Sequence, residues 1–126
     1  MKIAVITGAS SGMGKEFVLR LAQDKSFDEI WVIARRENAL ESLKEEVSTP
    51  IRPIVLDLCE KDSFSVIENL LAAEKPNVKL LVNAAGFGKF GSFDNVPLQD
   101  DLRMIDLNCK ALVLMTRLCI PYMAPG

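Results

Sequence analysis

The sequence has no histidine, and only one tryptophan and one tyrosine occur among its 126 residues. Its three cysteines, Cys59, Cys109 and Cys119, are far apart and form no pair with metal-ligand spacing. The sequence therefore predicts no metal site. An odd number of widely spaced cysteines is typical of free thiols in a reducing compartment rather than of a disulfide framework.

The chain also lacks a strong charge of either sign. Fifteen basic residues stand against 17 acidic ones, which gives a net charge of −2, so we expect no general attraction to nucleic acid or to an acidic membrane. No apolar run approaches the ~20 residues of a membrane span. Because Met1 and Lys2 lead directly into an apolar run, we expect no signal peptide. These features predict a cytoplasmic globular protein with one domain over residues 1–126.

Apolar runs typical of buried strands alternate along the chain with segments of helical spacing. The expected strands cover 2–7, 30–34, 51–58 and 78–83, and the expected helices cover 12–24, 37–47, 63–73 and 97–119. This alternation predicts an α/β fold, a doubly wound parallel sheet with helices on both faces. Pro53 cannot donate to a sheet ladder, which places the third strand at an edge, as in the strand order 3-2-1-4. The glycine-rich stretch 86–96 predicts a loop.

A glycine-rich turn, Thr-Gly-Ala-Ser-Ser-Gly-Met-Gly at positions 7–14, joins the first strand to the first helix. Gly8 can turn sharply, Gly12 lets the backbone approach a phosphate, and Gly14 lets the helix pack close to the sheet. The start of the helix carries partial positive charge, and Ser10 and Ser11 add hydroxyl donors. The turn therefore predicts a dinucleotide site.

Two other interpretations of the turn compete with this one. An ATP or GTP P-loop would end on Gly14-Lys15, but Ala9 then replaces its first glycine and Glu16 replaces its magnesium-binding hydroxyl. The P-loop pattern therefore fails twice. An ordinary flexible turn remains open, although it leaves three glycines at this spacing between strand and helix unexplained.

The spacing Thr-Gly-x-x-x-Gly-x-Gly, together with Asn83-Ala84-Ala85-Gly86 after the fourth strand, resembles the classical short-chain dehydrogenase/reductase family. Asp57 after the third strand and Asn108 in the late helix fall where that family has them. The resemblance runs over the whole chain. It implies a Rossmann-type sheet and an oxidoreductase that transfers a hydride between a nicotinamide cofactor and a small carbonyl or alcohol substrate.

The resemblance also implies roles for individual residues. The pyrophosphate-binding turn would consist of Gly8, Ser10, Gly12, Met13 and Gly14. Asp57 would accept a hydrogen bond from the adenine amino group, with Leu58 beside the ring. The residues Asn83, Ala84 and Gly86 would line the cofactor. Asn108 would be the family's catalytic-network asparagine, which helps to hold a proton-relay water.

Each of these polar residues also has a structural interpretation. Asp57 alone reads as the cap of a turn after a strand, and Asn83 as a strand-end turn residue. Asn108 lies in an otherwise apolar helix, where a buried amide needs hydrogen-bond partners. Its role could be purely structural.

The end of the second strand bears on the choice between the two nicotinamide cofactors. An acidic residue there would bind the adenosine ribose and repel a 2′-phosphate. Here Ala34 occupies that place and Arg35 and Arg36 follow, with Glu37 beyond the expected position. Guanidinium groups suit the 2′-phosphate, so NADP(H) is preferred, while NAD(H) remains possible. The alternative for the arginine pair is a solvated start of the second helix.

The sequence departs from the family in one respect. The resemblance implies a catalytic serine and a Tyr-x-x-x-Lys pair after a fifth strand, but the one tyrosine is Tyr122 and the residue four further on is Gly126. We therefore expect Tyr122 to pack at the end of the late helix. We also expect the chain to represent the cofactor-binding half of the family's fold and to be inactive alone. A non-catalytic nucleotide-binding or regulatory module is the alternative.

The late helix is apolar nearly all round, with Leu107, Ala111, Leu112, Val113, Leu114, Met115, Leu118 and Ile120. Such a helix is normally buried on several sides. The fourth strand would also present an open apolar edge. We therefore expect a homo-oligomer, or pairing with the remainder of the family's fold.

Overall fold

Strands and helices alternate in the computed structural model, which describes residues 1–10, 12–24, 26–85 and 97–123. Ser11, Gly86 and the expected loop over 86–96 lie outside the described residues. The strands are β1 (Lys2–Thr7), β2 (Glu29–Ala34), β3 (Ile51–Val55) and β4 (Asn77–Asn83). The helices are α1 (Gly12–Gln23), α2 (Glu37–Glu46), α3 (Ser63–Glu74), α4 (Leu98–Ile105) and α5 (Ala111–Cys119).

The four described strands form one parallel sheet in the order β3-β2-β1-β4. This confirms the predicted doubly wound fold and its strand order. Pro53 lies on the edge strand β3, opposite Val32 of β2. No described strand lies beyond β3, so on that side the missing N–H of Pro53 leaves no neighbouring strand without a donor.

The third strand is shorter than predicted. It ends at Val55 rather than at residue 58, although the Leu56 N–H still donates to the Ala34 carbonyl at 3.0 Å. The cause is Asp57, whose Oδ1 accepts the N–H of Cys59 at 2.9 Å while its carbonyl accepts the N–H of Glu60 at 2.9 Å. A carboxylate that binds the backbone two residues ahead forms a turn, which ends the extended conformation.

The sheet buries both of its faces, as the uniformly apolar first strand predicts. Ile3 and Val5 of β1 point to a cluster that includes α3 and α5, whereas Ala4 and Ile6 point to a cluster that includes α1 and α2. This is the two-residue alternation of a strand, applied to a strand with no polar face. The two hydrophobic layers fix the carboxyl ends of the strands relative to the helix starts.

The last helical segment is less regular than predicted. A single π turn, Asp106–Lys110, separates α4 from α5, and a short 3-10 turn, Ile120–Tyr122, follows α5. Ala111, Met115 and Cys119 of α5 are buried against the sheet, but Leu112 and Val113 are exposed. Within the described residues α5 is covered on one side only, so burial of its other sides by a second copy or by the remainder of the family's fold stays a prediction.

Candidate functional site

Two glycines of the turn after β1 adopt the left-handed conformation that glycine favours. Gly8 has φ +65° and Gly12 has φ +59°. A Cβ on Gly8 would lie 2.6 Å from the carbonyl oxygen of Ala84, in the segment after β4. The turn after β1 and the segment after β4 are thus in direct contact, and Gly8 permits that approach.

Gly14 permits a second close approach. It is buried in the first turn of α1, and a Cβ there would run into the carbonyl group of Gly8. We predicted that Gly14 lets the helix pack close to the sheet; the contact is with the turn itself, at Gly8 and Ala9. The start of α1 is therefore held against the end of β1, with its first N–H groups at the sheet's carboxyl edge.

A third link at this edge comes from Thr7, which sequence reasoning assigned no role. Its buried hydroxyl accepts the N–H groups of Ala84 and Ala85, each at 3.1 Å, and lies 3.5 Å from the carbonyl oxygen of Val82. The only sequence signal was a hydroxyl residue at the last position of an apolar strand. Thr7 fixes the backbone after β4 against β1.

These contacts surround a cavity of about 370 Å³ at the carboxyl edge of the sheet. Eight of the expected site residues line it: Gly8, Ser10, Gly12, Met13, Arg35, Asp57, Leu58 and Ala84. The expectations missed Ile33, Leu56, Ala85 and Leu107, which also line it. Ile33, Leu56 and Ala85 lie at or just beyond strand ends, which topology could have indicated. Leu107 is brought in by the helical segment after α4.

The cavity has room for a ligand where Gly12 lies in its wall. A Cβ built on Gly12 would meet no atom within 4 Å, so the space above this glycine is open. Gly12 is also the first residue of α1, where backbone N–H groups lack helical partners. An anion seated there would meet N–H donors and the positive end of the helix, which is the arrangement that binds phosphate.

The arginine pair borders the same cavity. Arg35 and Arg36 follow β2, both are exposed, and both line the cavity. The Nη2 of Arg36 donates to the Ser10 Oγ at 3.4 Å, which connects the pair to the glycine turn. Arg36 precedes α2 without capping it through its side chain. The cavity therefore has a cationic end at Arg35 and Arg36.

Asp57 lies in the wall of the cavity that the glycine turn also lines. Its side chain caps the turn to Cys59, so the structural interpretation is confirmed, and its carbonyl accepts the Ser63 hydroxyl at 2.6 Å. Its Oδ2 lies 3.5 Å from the Arg103 Nη2. The carboxylate is half-buried and keeps further acceptor positions beside Leu58.

Asn83 and Asn108 lie on a neighbouring cavity of about 400 Å³, which shares Met13, Ala84 and Ala85 with the first. The Asn83 Nδ2 donates to the Thr116 Oγ1 at 3.3 Å, which links the end of β4 to α5. The two asparagines therefore do not lie in the wall of the cavity that holds Asp57 and the arginines.

The expectation of a buried amide at Asn108 is wrong: Asn108 is exposed on the wall of this second cavity. It lies in the π turn, where the Ala111 N–H donates to the Asp106 carbonyl five residues back. Such a turn inserts one extra residue into the helix, and single π turns occur frequently at functional sites. The expected helical spacing did not reveal this extra residue.

Cys59 is a half-buried thiol and Cys119 is a fully buried one. Burial raises the pKa of the Cys59 thiol, with Arg103 acting in the opposite direction and Asp57 and Asp106 adding to the rise. Burial raises the pKa of Cys119 to about 11. Both thiols are therefore protonated near neutral pH, and a thiolate nucleophile is not expected at either position.

Tyr122 packs where we expected. It is half-buried against the hydrophobic cluster beneath α5, just after the end of that helix. Within the described ranges no three His, Cys, Asp or Glu side chains are grouped so that they could hold a metal ion. In the same part of the chain, no helix is both long and apolar enough to span a membrane.

Known proteins are similar to this chain in sequence and in fold. A short chain dehydrogenase from Pseudocercospora fijiensis is 32% identical over 127 residues, which cover 97% of this chain and 40% of that protein. A short-chain dehydrogenase from Sphingobium yanoikuyae, solved in complex with NADPH, is 26% identical with a TM-score of 0.83 over 96% of this chain and 48% of its own. A serine dehydrogenase complexed with NADP+ is 30% identical with a TM-score of 0.83 over 95% of this chain and 48% of its own.

The chain spans about half the length, or less, of the curated relatives that it matches. The family model for short chain dehydrogenases matches residues 2–126, which is almost the entire chain. The chain therefore belongs to the short-chain dehydrogenase family.

Proposed function

We propose that this chain binds NADP(H) in the cavity at the carboxyl edge of the sheet, as the cofactor-binding part of an oxidoreductase acting on a small carbonyl or alcohol. The observation that carries the proposal is the open space above Gly12, at the first turn of α1. Two solved relatives, one in complex with NADPH and one with NADP+, share this fold with TM-scores of 0.83.

The proposed roles are those that the family resemblance implies for each residue, of which Ser11 and Gly86 lie outside the described residues. Gly8, Ser10, Ser11, Gly12 and Met13 bind the pyrophosphate, with Gly14 holding the helix start in place. Asp57 accepts a hydrogen bond from the adenine amino group, and the buried Leu58 packs beside the ring. Farther along, the cofactor extends toward the neighbouring cavity, where Asn83 and Ala84 line it, and Gly86 lines the cofactor as the resemblance implies. These roles divide the site into a phosphate end, an adenine end and a nicotinamide end.

Asn108 is the residue that we propose for the catalytic network. It is exposed on the second cavity together with Asn83, next to the proposed phosphate end. An exposed amide there can hold a water by hydrogen bonds and so help to carry a proton. When bound, the cofactor supplies the hydride, and the chain's own residues supply placement and electrostatics.

We propose a preference for NADP(H) over NAD(H). Ala34 at the end of β2 places no carboxylate against a 2′-phosphate, and Arg35 and Arg36 offer guanidinium groups at the same end of the cavity. The Arg36 contact with Ser10 positions one of these groups over the glycine turn. Charge-assisted hydrogen bonds of this kind are among the stronger ones in proteins.

Titrations with NADPH and NADH, followed by calorimetry, test both the binding and the preference. NADPH should bind more tightly than NADH. Arg35→Met should weaken NADPH about tenfold and leave NADH unchanged, because it removes one charged hydrogen bond to the extra phosphate. Arg20→Met is the matched control, since Arg20 forms an exposed ion pair with Glu16 elsewhere on α1. Absence of any response to both cofactors refutes the proposed site.

We further propose that these 126 residues alone do not turn over substrate. Their one tyrosine, Tyr122, is packed against the hydrophobic cluster and has Gly126 four residues later, so it forms no tyrosine–lysine pair. This observation also supports the second candidate, a non-catalytic dinucleotide-binding or regulatory module. An in-frame Ser followed by Tyr-x-x-x-Lys in the coding sequence beyond Gly126 selects the enzyme, and a stop codon selects the module.

The proposed partners, besides the substrate, are further protein surfaces. Large apolar side chains remain exposed along α4 and α5, and no described strand pairs with the outer edge of β4. We propose that these surfaces are covered by a second copy of the chain or by the remainder of the family's fold. The area they leave exposed favours association over an isolated chain.

A further inference from the structure

Arg103 of α4 contacts the turn that carries Asp57 in two ways. Its Nη2 lies 3.5 Å from the Asp57 Oδ2, and its backbone carbonyl lies 4.0 Å from the Cys59 Sγ. Asp57 is one of the described residues that line the first cavity, whereas Arg103 is not. Arg103 therefore approaches the carboxylate from outside the cavity wall, across 46 positions of sequence.

The carboxylate of Asp57 is held at both of its oxygens. Oδ1 accepts the Cys59 N–H at 2.9 Å, and Oδ2 faces the Arg103 guanidinium. An ionised carboxylate has about four acceptor positions, so the two contacts orient the group without exhausting it. The side chains of Arg103 and Asp57 are only 33% and 25% exposed, which limits screening of the pair by water.

We propose that Arg103 is a positioning residue for base recognition: it holds Asp57 so that a free acceptor position of the carboxylate faces the adenine amino group. The inference rests on the proposed cofactor binding. It adds that selection of the base depends on α4, a helix outside the cavity wall. Without the guanidinium, Asp57 keeps the 2.9 Å hydrogen bond from the Cys59 N–H to Oδ1 but loses the partner of Oδ2, so the carboxylate can rotate away from the base.

The test compares NADPH with its hypoxanthine analogue, in which a carbonyl oxygen replaces the amino group. The carboxylate can accept a hydrogen bond from the amino group but not from that oxygen. We expect the full chain to bind NADPH about tenfold more tightly than the analogue, as measured by calorimetry. In Arg103→Met this ratio of dissociation constants should fall to about threefold or less, because the loss of a partly exposed ion pair has a modest effect.

A double-mutant cycle separates this role from a merely structural one. Asp57→Asn should abolish the preference for adenine, and adding Arg103→Met in that background should not change the ratio further, since Arg103 acts through Asp57. Arg103→Lys keeps the positive charge but changes the hydrogen-bond geometry, so it should give an intermediate ratio of dissociation constants. If Arg103→Met does not fold, Arg103→Lys takes its place in the test. Arg20→Met, which removes the exposed ion pair with Glu16, should leave the ratio unchanged.

The measured ratios test the positioning role of Arg103 separately from cofactor binding itself. If Asp57→Asn abolishes the preference while the Arg103 variants keep the original ratio, the positioning role is wrong and cofactor binding stands. A ratio near one in the unaltered chain also refutes the inference while leaving binding intact. If neither cofactor form binds at all, the proposed function falls and the inference falls with it.

Discussion

At the scale of single residues, Gly14 and Gly12 should respond differently to the same substitution. Gly14→Ala places a Cβ against the Gly8 carbonyl, where backbone must move, so we expect a loss of about 3 kcal/mol in the free energy of unfolding. Gly12→Ala meets no atom within 4 Å and has only its φ of +59° to accommodate, at about 1 to 2 kcal/mol. Urea unfolding measures both values.

The two glycine variants should also differ in cofactor binding. The new methyl group of Gly12→Ala enters the open part of the cavity, so NADPH affinity should fall although the fold persists. Equal destabilisation by the two substitutions would contradict the assignment of Gly14 to packing and Gly12 to the ligand. A Gly12→Ala chain that binds NADPH as tightly as the parent would contradict it as well.

A second residue-scale prediction concerns stability at high pH. Burial raises the pKa of Cys119 from 9.0 to about 11, so the unfolded chain loses this proton before the folded chain does. The stabilisation is fully present below about pH 9 and is lost as the pH rises through about 11. The two pKa units correspond to about 2–3 kcal/mol.

Unfolding in urea between pH 8 and 11 tests this prediction. Cys119→Ala should be less stable at every pH because it leaves a cavity, but its stability should fall less steeply above about pH 9. Cys109→Ala, at an exposed position, should keep the slope of the parent. An unchanged slope in Cys119→Ala would rule out the buried thiol as its source.

At the scale of elements, periodicity and turn residues predicted most boundaries because each reflects a local cause. Apolar runs covered on both faces become β1 and β2, and Pro53 marks the edge strand. The errors come from local hydrogen bonds that apolar spacing does not indicate. The turn at Asp57 ended β3 early, and the π turn that carries Asn108 interrupts a helix whose apolar spacing alone predicts no interruption.

Thr7 gives the element-scale prediction, because its hydroxyl joins the ends of β1 and β4. Thr7→Val keeps the shape but leaves the N–H groups of Ala84 and Ala85 without their acceptor, so the free energy of unfolding should drop by about 2 kcal/mol. NADPH binding should weaken as well, since Ala84 and Ala85 line the cavity. Thr7→Ser keeps the hydroxyl and should retain most of both properties. Equal losses in the two variants would attribute the effect to packing instead.

At the scale of the whole molecule, the sequence predicted which strand ends meet but not how the site is divided. Topology brings the glycine turn, the arginine pair and Asp57 to one cavity, as parallel strands require. Asn83 and Asn108 instead line the neighbouring cavity, because the position of Asn108 depends on the path of the helices at the end of the chain. Helix placement is set by packing across the entire sheet, so no local sequence pattern could predict that the site residues divide between two cavities.

The exposed apolar surface of α4 and α5 predicts association. Leu102 and Ile105 of α4 are 51% and 56% exposed, and Val113 of α5 is 58% exposed. Leu102→Lys combined with Val113→Lys should shift the chain toward a monomer in sedimentation velocity, because burying two ammonium groups in an apolar contact is costly. The fold should persist, since neither side chain belongs to the core.

Val66→Lys, on the exposed part of α3, is the control and should associate like the parent. A parent chain that sediments as a stable monomer would refute the prediction outright, and a double variant that still associates would move the contact to another surface, such as the free edge of β4.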